Sequence, residues 1–182
     1  IYNSDHGEMA GDHMMSHKIV FYDAAVRVPL IVRPPGGTQG WQSKGLTDIL
    51  DVTASMVEIA GAAPLEKSAG ESIVSQVQAG PDAEGAQKGK DAVISEVLGH
   101  TMVFDGHHKL AVETMSETPV ELYDTETDPD EVNNRFQDAE LADVGQELID
   151  QHLKPIRHRL DEDKFEHWLD IRANKRGGVQ VK

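Results

Sequence analysis

The 182-residue chain contains no cysteine, which excludes a disulfide framework, a thiolate metal cluster and a cysteine nucleophile. Basic residues are scarce: 17 lysines and arginines stand against 32 aspartates and glutamates, giving a net charge of −15. That balance argues against a surface that binds nucleic acid or an anionic membrane, because the chain has too few basic residues to neutralise many phosphate groups. A small anionic substrate, which needs only one or two local cations, is still compatible with it. The sequence also lacks an Asn-x-Ser/Thr sequon and any apolar run long enough to span a bilayer.

The composition that remains, 38% hydrophobic and 27% charged residues, is typical of a globular protein. The length suits one domain, or one domain with a small appendix. The sequence opens inside an apparent strand, without an initiator Met or a signal peptide. We therefore expect the C-terminal part of a longer protein, whose partner strands and further ligands precede this chain. A missing targeting signal then says nothing about the compartment.

Reactive side chains are concentrated in the first 18 residues, which hold three histidines, three carboxylates and one lysine. Residues 1–3 are predicted to end a strand, and Asp5-His6-Gly7 to form the turn that leaves it. Adjacent strand residues face opposite sides, so Asp5 and His6 converge on one point only from a turn, where Gly7 can take a positive φ. Two interpretations stay open at this point. The pair is half of a metal site, or Asp5 caps the next segment and His6 is a surface residue.

Apolar periodicity predicts an α/β fold. Residues 28–32 form a continuous apolar run that suits a strand buried on both faces, as in a mostly parallel sheet covered by helices. Residues 47–60 change to steps of three and four, the pattern of an amphipathic helix facing a core. The predicted stripe consists of Leu46, Ile49, Leu50, Thr53, Met56, Val57 and Ala60.

A Gly- and Ala-rich segment at 80–91 is the best internal boundary. It divides the C-terminal part of an α/β core (1–80) from a small antiparallel-sheet subdomain with C-terminal helices (81–182). The predicted strands of the subdomain are 92–98, 101–105, 109–114 and 120–123. Asp105-Gly106 is a hairpin signal between the second and third strands.

Helix is predicted for 139–159, interrupted at Pro155, and for a short segment at 164–172. The first of these has a candidate buried stripe of Leu141, Val144, Leu148, Ile149 and Leu153. The remaining histidines are expected to be exposed and without chemical function: His107, His108, His152, His158 and His167. An acidic run from Asp124 resembles the start of a calcium loop, but Pro129 and Arg135 replace the required Gly and Glu.

An ordered series of motifs resembles the later signature block of the sulfatases, which belong to the alkaline-phosphatase-like superfamily. Its first members are Ser4-Asp5-His6-Gly7-Glu8, Gly11-Asp12-His13, Lys18, Phe21-Tyr22-Asp23 and the run at 26–32. Residues 47–61 are similar to the family's post-strand helix, and 121–134 to the turn that closes its C-terminal subdomain. The resemblance covers most of the chain in the right order.

The resemblance implies a divalent metal for which Asp5 and His6 supply half of the protein ligands. Lys18, twelve residues after His6, is the candidate catalytic cation, since a fixed ammonium stabilises charge that develops on a sulfate ester. His13 either contacts the sulfate or its leaving group, or packs within the loop. Arg27 is expected to pair with a carboxylate rather than with substrate.

The family implication for the metal is Ca²⁺, with Mn²⁺ second, although an imidazole ligand by itself favours Mn²⁺ or Zn²⁺. The implied nucleophile is a formylglycine made from a Cys/Ser-x-Pro-x-Arg motif, and no such motif occurs in these 182 residues. The isolated chain is therefore expected to be inactive.

The expected function is that of a sulfatase acting on a sulfate ester, either a small molecule or a sulfated glycan. A phosphonate monoester or phosphodiester hydrolase of the same superfamily is the second hypothesis, and a non-catalytic module is the third. The resemblance suggests a periplasmic or secreted protein, with a cytoplasmic one left open. A truncated sheet would expose an edge and an apolar face, so self-association is also expected.

Overall fold

Two antiparallel sheets organise residues 1–37, 40–82 and 86–157, the part of the chain that the computed structural model describes. The smaller sheet pairs β1 (Tyr2–Asn3) with β2 (Leu30–Ile31). The larger is a four-stranded meander of β3 (Val93–Val97), β4 (His100–Phe104), β5 (His108–Glu113) and β6 (Pro119–Asp124). The helices are α1 (Asp23–Val26), α2 (Ile49–Ile59), α3 (Val74–Ala79), α4 (Ala142–Leu148) and α5 (Lys154–Arg157).

The meander confirms the predicted small antiparallel sheet, and each strand begins and ends within one residue of its expected position. Val103 and Leu110 face each other across β4 and β5, and both are fully buried. The predicted helical stripe packs on the same face, with Leu148, Ile149 and Leu153 in one apolar cluster with these residues. This cluster is the principal core of the chain.

Pro155 does not interrupt the helix as expected within the described residues. Helical structure continues through α5, and the turn just before it, Ile149–Leu153, is a π-helix. Proline lacks an N–H, and its ring crowds the carbonyl of the preceding turn, so widening that turn accommodates it. The helix predicted for 164–172, and with it His158 and His167, lies outside the described residues.

Helix α2 forms where it was predicted but buries a different face. Asp48 caps its N-terminus, and Asp51 and Ser55 are each 1% exposed, whereas Ile49, Leu50 and Met56 remain 46%, 43% and 51% exposed. The expectation that the apolar stripe faces a core is therefore wrong for the described part of this chain. Val52 is buried beside Asp51 and Ser55, and the carboxylates are paired, since Lys90 Nζ lies 2.6 Å from Asp48 Oδ2 and 2.8 Å from Asp51 Oδ1.

The α/β class is confirmed, but no parallel strand pair occurs within the described ranges. β1 pairs with β2, which runs in the opposite direction, and Ile31 on β2 is 61% exposed. The mostly parallel pairing and two-sided burial expected here do not arise between the strands of the described residues. No helix among the described residues is both long and apolar enough to cross a membrane. The boundary at 80–91 stays a prediction.

Candidate active site

The turn after β1 is fixed to helix α1 through two backbone hydrogen bonds. The N–H of Gly7 donates to the carbonyl of Ala25 (2.7 Å), and that of Glu8 donates to the carbonyl of Ala24 (3.0 Å). A Cβ on Gly7 would lie 2.0 Å from the Ala24 carbonyl oxygen. Gly7 does not take the positive φ that we expected. Glycine is required here because the backbone of α1 approaches too closely for any side chain.

Three predicted site residues converge at this turn. His6 Nδ1 donates to the carbonyl of Gly7 (2.7 Å), since a carbonyl only accepts, and in the neutral ring Nε2 is then the nitrogen with the lone pair. Asp5 Oδ2 lies 3.4 Å from Nε2, and Lys18 Nζ donates to that same nitrogen. A carboxylate, an imidazole lone pair and an ammonium group therefore meet at one point.

This donor set fits half of a divalent-metal site. Metal-bound histidines commonly use the other ring nitrogen to donate to a carbonyl, as His6 does. The Asp5 side chain is 79% exposed, so it is open to a ligand. A divalent ion takes four or more ligands, and within the described ranges the cluster of three candidate ligand residues lies elsewhere. Asp5 and His6 therefore fit a shared site rather than a complete one.

Lys18 reaches this point because the intervening loop closes on itself. The N–H of Met9 donates to the carbonyl of His17 (3.0 Å), and the N–H of His17 donates back to the Glu8 carboxylate. Met9 is 1% exposed and anchors the start of the loop. Both ends of the loop are thereby held together, which brings residue 18 back beside residue 6.

His13 packs on an aromatic side chain. Its ring stacks on that of Tyr22, with centroids 3.8 Å apart and planes within 12°. Tyr22 in turn contacts Tyr123 of β6, with centroids 6.0 Å apart. No contact between His13 and the Asp5–His6–Lys18 group is seen in the described part of the chain, and a substrate-facing role for His13 stays a prediction.

A buried ion cluster ties α1 to the larger sheet. Lys109 Nζ on β5 lies 2.5 Å from Asp23 Oδ1 and also pairs with Glu131, whose second carboxylate oxygen accepts from the N–H of Asp23 (2.7 Å). Lys109 and Glu131 are each 3% exposed. Burial raises the pKa of Asp23, but the Lys109 ammonium outweighs that effect, and the pKa lies below its usual value. Arg27 Nη1 lies 3.2 Å from Asp23, which confirms its expected pairing with a carboxylate.

Sequence reasoning missed Lys109 and Glu131. The available signal was a lysine directly before the apolar run Leu110–Val112 in a predicted strand, because lysine is almost never buried unless it is paired. Its partners lie 86 residues earlier and 22 residues later, so the sequence does not reveal them.

The expected exposure is wrong for His108 and only partly met by His107, whose side chain is 41% exposed, and the expected lack of a chemical function stays a prediction. His107 Nε2 lies 3.0 Å from Asp124 Oδ1, and the side chain of His108 is 14% exposed. Their rings contact each other, with centroids 3.8 Å apart. The two histidines therefore take part in a defined cluster at the β4–β5 turn.

Comparison with known proteins identifies the family of this chain. Residues 11–159 match the family model described as N-sulphoglucosamine sulphohydrolase, C-terminal. The chain is 29% identical to arylsulfatase K of Mus musculus, over 92% of this chain and 33% of the relative. It is 31% identical to the uncharacterized sulfatase YidJ of Escherichia coli (strain K12), over 92% and 34%. The chain thus spans about a third of the length of these relatives.

Solved structures of longer proteins share the fold of this chain. A 2-O GAG sulfatase superposes with a TM-score of 0.71 at 25% identity, covering 89% of this chain and 36% of that one. A phosphonate monoester hydrolase of Agrobacterium radiobacter gives a TM-score of 0.70 at 26% identity, covering 87% and 34%.

The fold matches the C-terminal region of proteins of the alkaline-phosphatase-like superfamily. Within that class, the chain belongs to the sulfatase family matched by the N-sulphoglucosamine sulphohydrolase C-terminal model. Sulfatases of this kind generally use a divalent metal.

Gly7→Ala tests the close approach of the turn to α1. The added methyl group collides with the Ala24 carbonyl, so we expect the free energy of unfolding to fall by about 1–3 kcal/mol. Gly40→Ala is the control, because nothing lies within 4 Å of its Cβ position. Urea denaturation measures both variants, and equal stability of the two would contradict the close packing.

Lys109→Met tests the buried ion cluster. It leaves the carboxylates of Asp23 and Glu131 without their shared cation, so we expect a loss of about 3–5 kcal/mol in urea denaturation. Lys154→Met is the matched control: the Lys154–Asp150 pair is about half exposed, and its loss should change the free energy of unfolding far less than the loss of Lys109. Similar losses in the two variants would rule out a central role for Lys109.

Proposed function

We propose that this chain is the C-terminal part of a sulfatase that hydrolyses sulfate esters, and that Asp5 and His6 supply half of the ligands of its divalent metal. The convergence of Asp5, His6 and Lys18 is the observation that carries this proposal. Membership of the sulfatase family supports it. The remaining ligands and the formylglycine nucleophile would come from another region of the full-length protein, which corresponds to the part of the relatives that this chain does not cover.

The chemistry follows from the charges at this turn. Hydrolysis of a sulfate ester builds negative charge on the nonbridging and leaving oxygens, and a bound metal ion polarises and stabilises those oxygens. The Nε2 lone pair of His6 is aimed at this point by its bond to the Gly7 carbonyl. Asp5 adds a carboxylate oxygen beside it.

Lys18 is the proposed charge-stabilising residue. In the structure its ammonium group donates to His6 Nε2. With His6 Nε2 engaged as a metal ligand, the Lys18 ammonium would be free to donate to a sulfate oxygen instead. The closed loop from Glu8 to Lys18 limits how far the ammonium can move.

His13 is proposed to face the substrate. The stack on Tyr22 fixes the plane of its ring, and within the described residues neither ring nitrogen forms a hydrogen bond. A fixed imidazole with free nitrogens can donate a hydrogen bond to a sulfate oxygen or a proton to a leaving alkoxide.

We propose Ca²⁺ as the metal, with Mn²⁺ second. The exposed carboxylate of Asp5 suits either ion, while the imidazole of His6 favours Mn²⁺. The proposed substrates are small sulfate esters or sulfated glycans, a class that includes the substrates of a 2-O GAG sulfatase. A periplasmic or secreted location follows from the family resemblance alone. The exposed apolar residues of α2 support one of two contacts. They pack against the region of the full-length protein that lies outside this chain, or against a second copy of the chain.

Two alternatives to sulfate ester hydrolysis each have one observation in their favour. Similarity to a phosphonate monoester hydrolase favours the same metal chemistry acting on a phosphonate monoester or phosphodiester. The lack of a Cys/Ser-x-Pro-x-Arg motif in the chain favours a non-catalytic module. Both alternatives keep the fold and differ from the main proposal in what the intact protein hydrolyses.

Two variants of the full-length protein separate metal binding from chemistry. Asp5→Ala is expected to abolish both metal binding and aryl sulfate hydrolysis, because one of the ligands is removed. Lys18→Ala should retain the metal and lower kcat by roughly a hundredfold or more, the loss of one preorganised charge partner. Metal analysis and steady-state kinetics measure the two effects.

Lys67→Ala, at an exposed lysine, is the control for these variants and should behave as wild type. Unchanged kcat in Lys18→Ala would show that this lysine is not the catalytic cation. Full metal content in Asp5→Ala would remove Asp5 from the ligand set.

Substrate preference distinguishes the hydrolase hypotheses. We expect the full-length protein to have a higher kcat/KM for an aryl sulfate than for the aryl phosphonate monoester with the same leaving group. The reverse order would establish the phosphonate alternative, and turnover of neither substrate by metal-loaded protein would favour the non-catalytic module.

A further inference from the structure

A second cluster of potential metal ligands lies on the larger sheet. His107 and His108 stand at the start of β5, and Asp124 ends the neighbouring strand β6. His108 and Asp124 are cross-strand partners in the register of these two strands. The pairing of β5 with β6 therefore brings two imidazoles and a carboxylate to one end of the sheet.

We propose that His107, His108 and Asp124 form a transition-metal site for an ion such as Zn²⁺, with Glu126 as an additional ligand. The proposal does not depend on the function of the Asp5–His6 turn. It concerns a different set of ligands, on a different sheet.

Distances within the cluster suit a small divalent ion. His107 Nε2 lies 3.0 Å from Asp124 Oδ1 and 3.7 Å from Glu126 Oε2. One ligand atom from each of His107, His108 and Asp124 falls within 4.8 Å of the others. Tetrahedral zinc with bonds of about 2.0–2.2 Å separates its ligands by about 3.3 Å. Side-chain movements of about 1 Å therefore complete the geometry.

The backbone around the cluster is held on both sides. The Asp105 carboxylate accepts from the N–H groups of His107 (2.8 Å) and His108 (2.6 Å). The carbonyl of His107 accepts from the N–H (2.9 Å) and the hydroxyl (2.7 Å) of Thr125. Asp124 Oδ1 accepts from the N–H groups of Glu126 and Thr127, both at 3.1 Å. Because these hydrogen bonds already fix the main chain, binding an ion costs little conformational entropy, which favours affinity.

The composition of the cluster selects the class of metal. Imidazole ligands suit Zn²⁺, Ni²⁺ and Cu²⁺, whereas Ca²⁺ prefers a shell of oxygens. Two histidines with one or two carboxylates therefore favour a transition metal over the Ca²⁺ proposed for Asp5 and His6. The two sites can be filled independently with different ions.

The competing explanation is a simple ion pair between His107 and Asp124 that closes the sheet end. That pair does not require the ring of His108, whereas a three-residue metal site does. His108 therefore distinguishes the two explanations.

The test is a calorimetric titration of the full-length protein with Zn²⁺, carried out with Ca²⁺ in excess so that the first site is filled. Wild type is expected to bind Zn²⁺, and His108→Gln should weaken that binding by about tenfold or more, since losing even an outer contact of a metal site costs 10–100-fold. His17→Gln, at an exposed histidine outside the cluster, is the matched control and should bind as wild type does.

Cobalt provides a second readout. Co²⁺ should give the visible absorption of a low-symmetry nitrogen and oxygen site in wild type and in His17→Gln, and this absorption should be lost in His108→Gln. Equal Zn²⁺ affinity and equal Co²⁺ spectra in His108→Gln and wild type would overturn the proposal, as would no Zn²⁺ binding at all.

Discussion

The buried ammonium group of Lys109 links helix α1 to the larger sheet of this protein. Lys109 projects from the larger sheet and pairs with Asp23 at the start of α1 and with Glu131, which follows β6. Buried ion pairs contribute little net stability, because desolvation offsets their attraction, but removing one partner is costly. The position of α1 relative to the sheet depends on this contact together with the apolar packing of Phe21 and Val26 on the same sheet. Since α1 supplies the carbonyls that hold Gly7 and Glu8, the arrangement of Asp5, His6 and Lys18 depends on it as well.

The apolar side chains of the described residues fall into two groups, a buried cluster on the larger sheet and an exposed stripe on α2. The side chains of Leu148, Ile149 and Leu153 are buried against the meander. Helix α2 instead buries Asp51 against Lys90, and Asp51 and Ser55 accept hydrogen bonds from the backbone of the segment that follows the helix. Its apolar stripe stays exposed. Hydrophobic periodicity identifies an apolar face but not the surface that covers it. The expectation of a core-facing stripe was wrong for that reason, although the helix itself was correctly placed.

Local patterns in the sequence were sufficient for much of the fold and for part of the site. Alternation and the Asp105-Gly106 signal located the four strands, and an Asp-His pair before a glycine located the turn. Contacts between residues distant in sequence were not accessible: Lys109 with Asp23, and His107 with Asp124, form only when strands and helices pack. The role of Gly7 was also misjudged, since its lack of a side chain matters for packing against Ala24 and not for a positive φ.

Amide hydrogen exchange at Gly7 and Glu8 tests most directly whether the buried cluster positions the site. If the account is correct, both amides are protected in the native protein and lose protection in Lys109→Met, while the amides of Leu50 and Asp51, held by the separate Asp48 cap, keep theirs. Rapid exchange of Gly7 and Glu8 in the native protein, or unchanged protection in Lys109→Met, would contradict it.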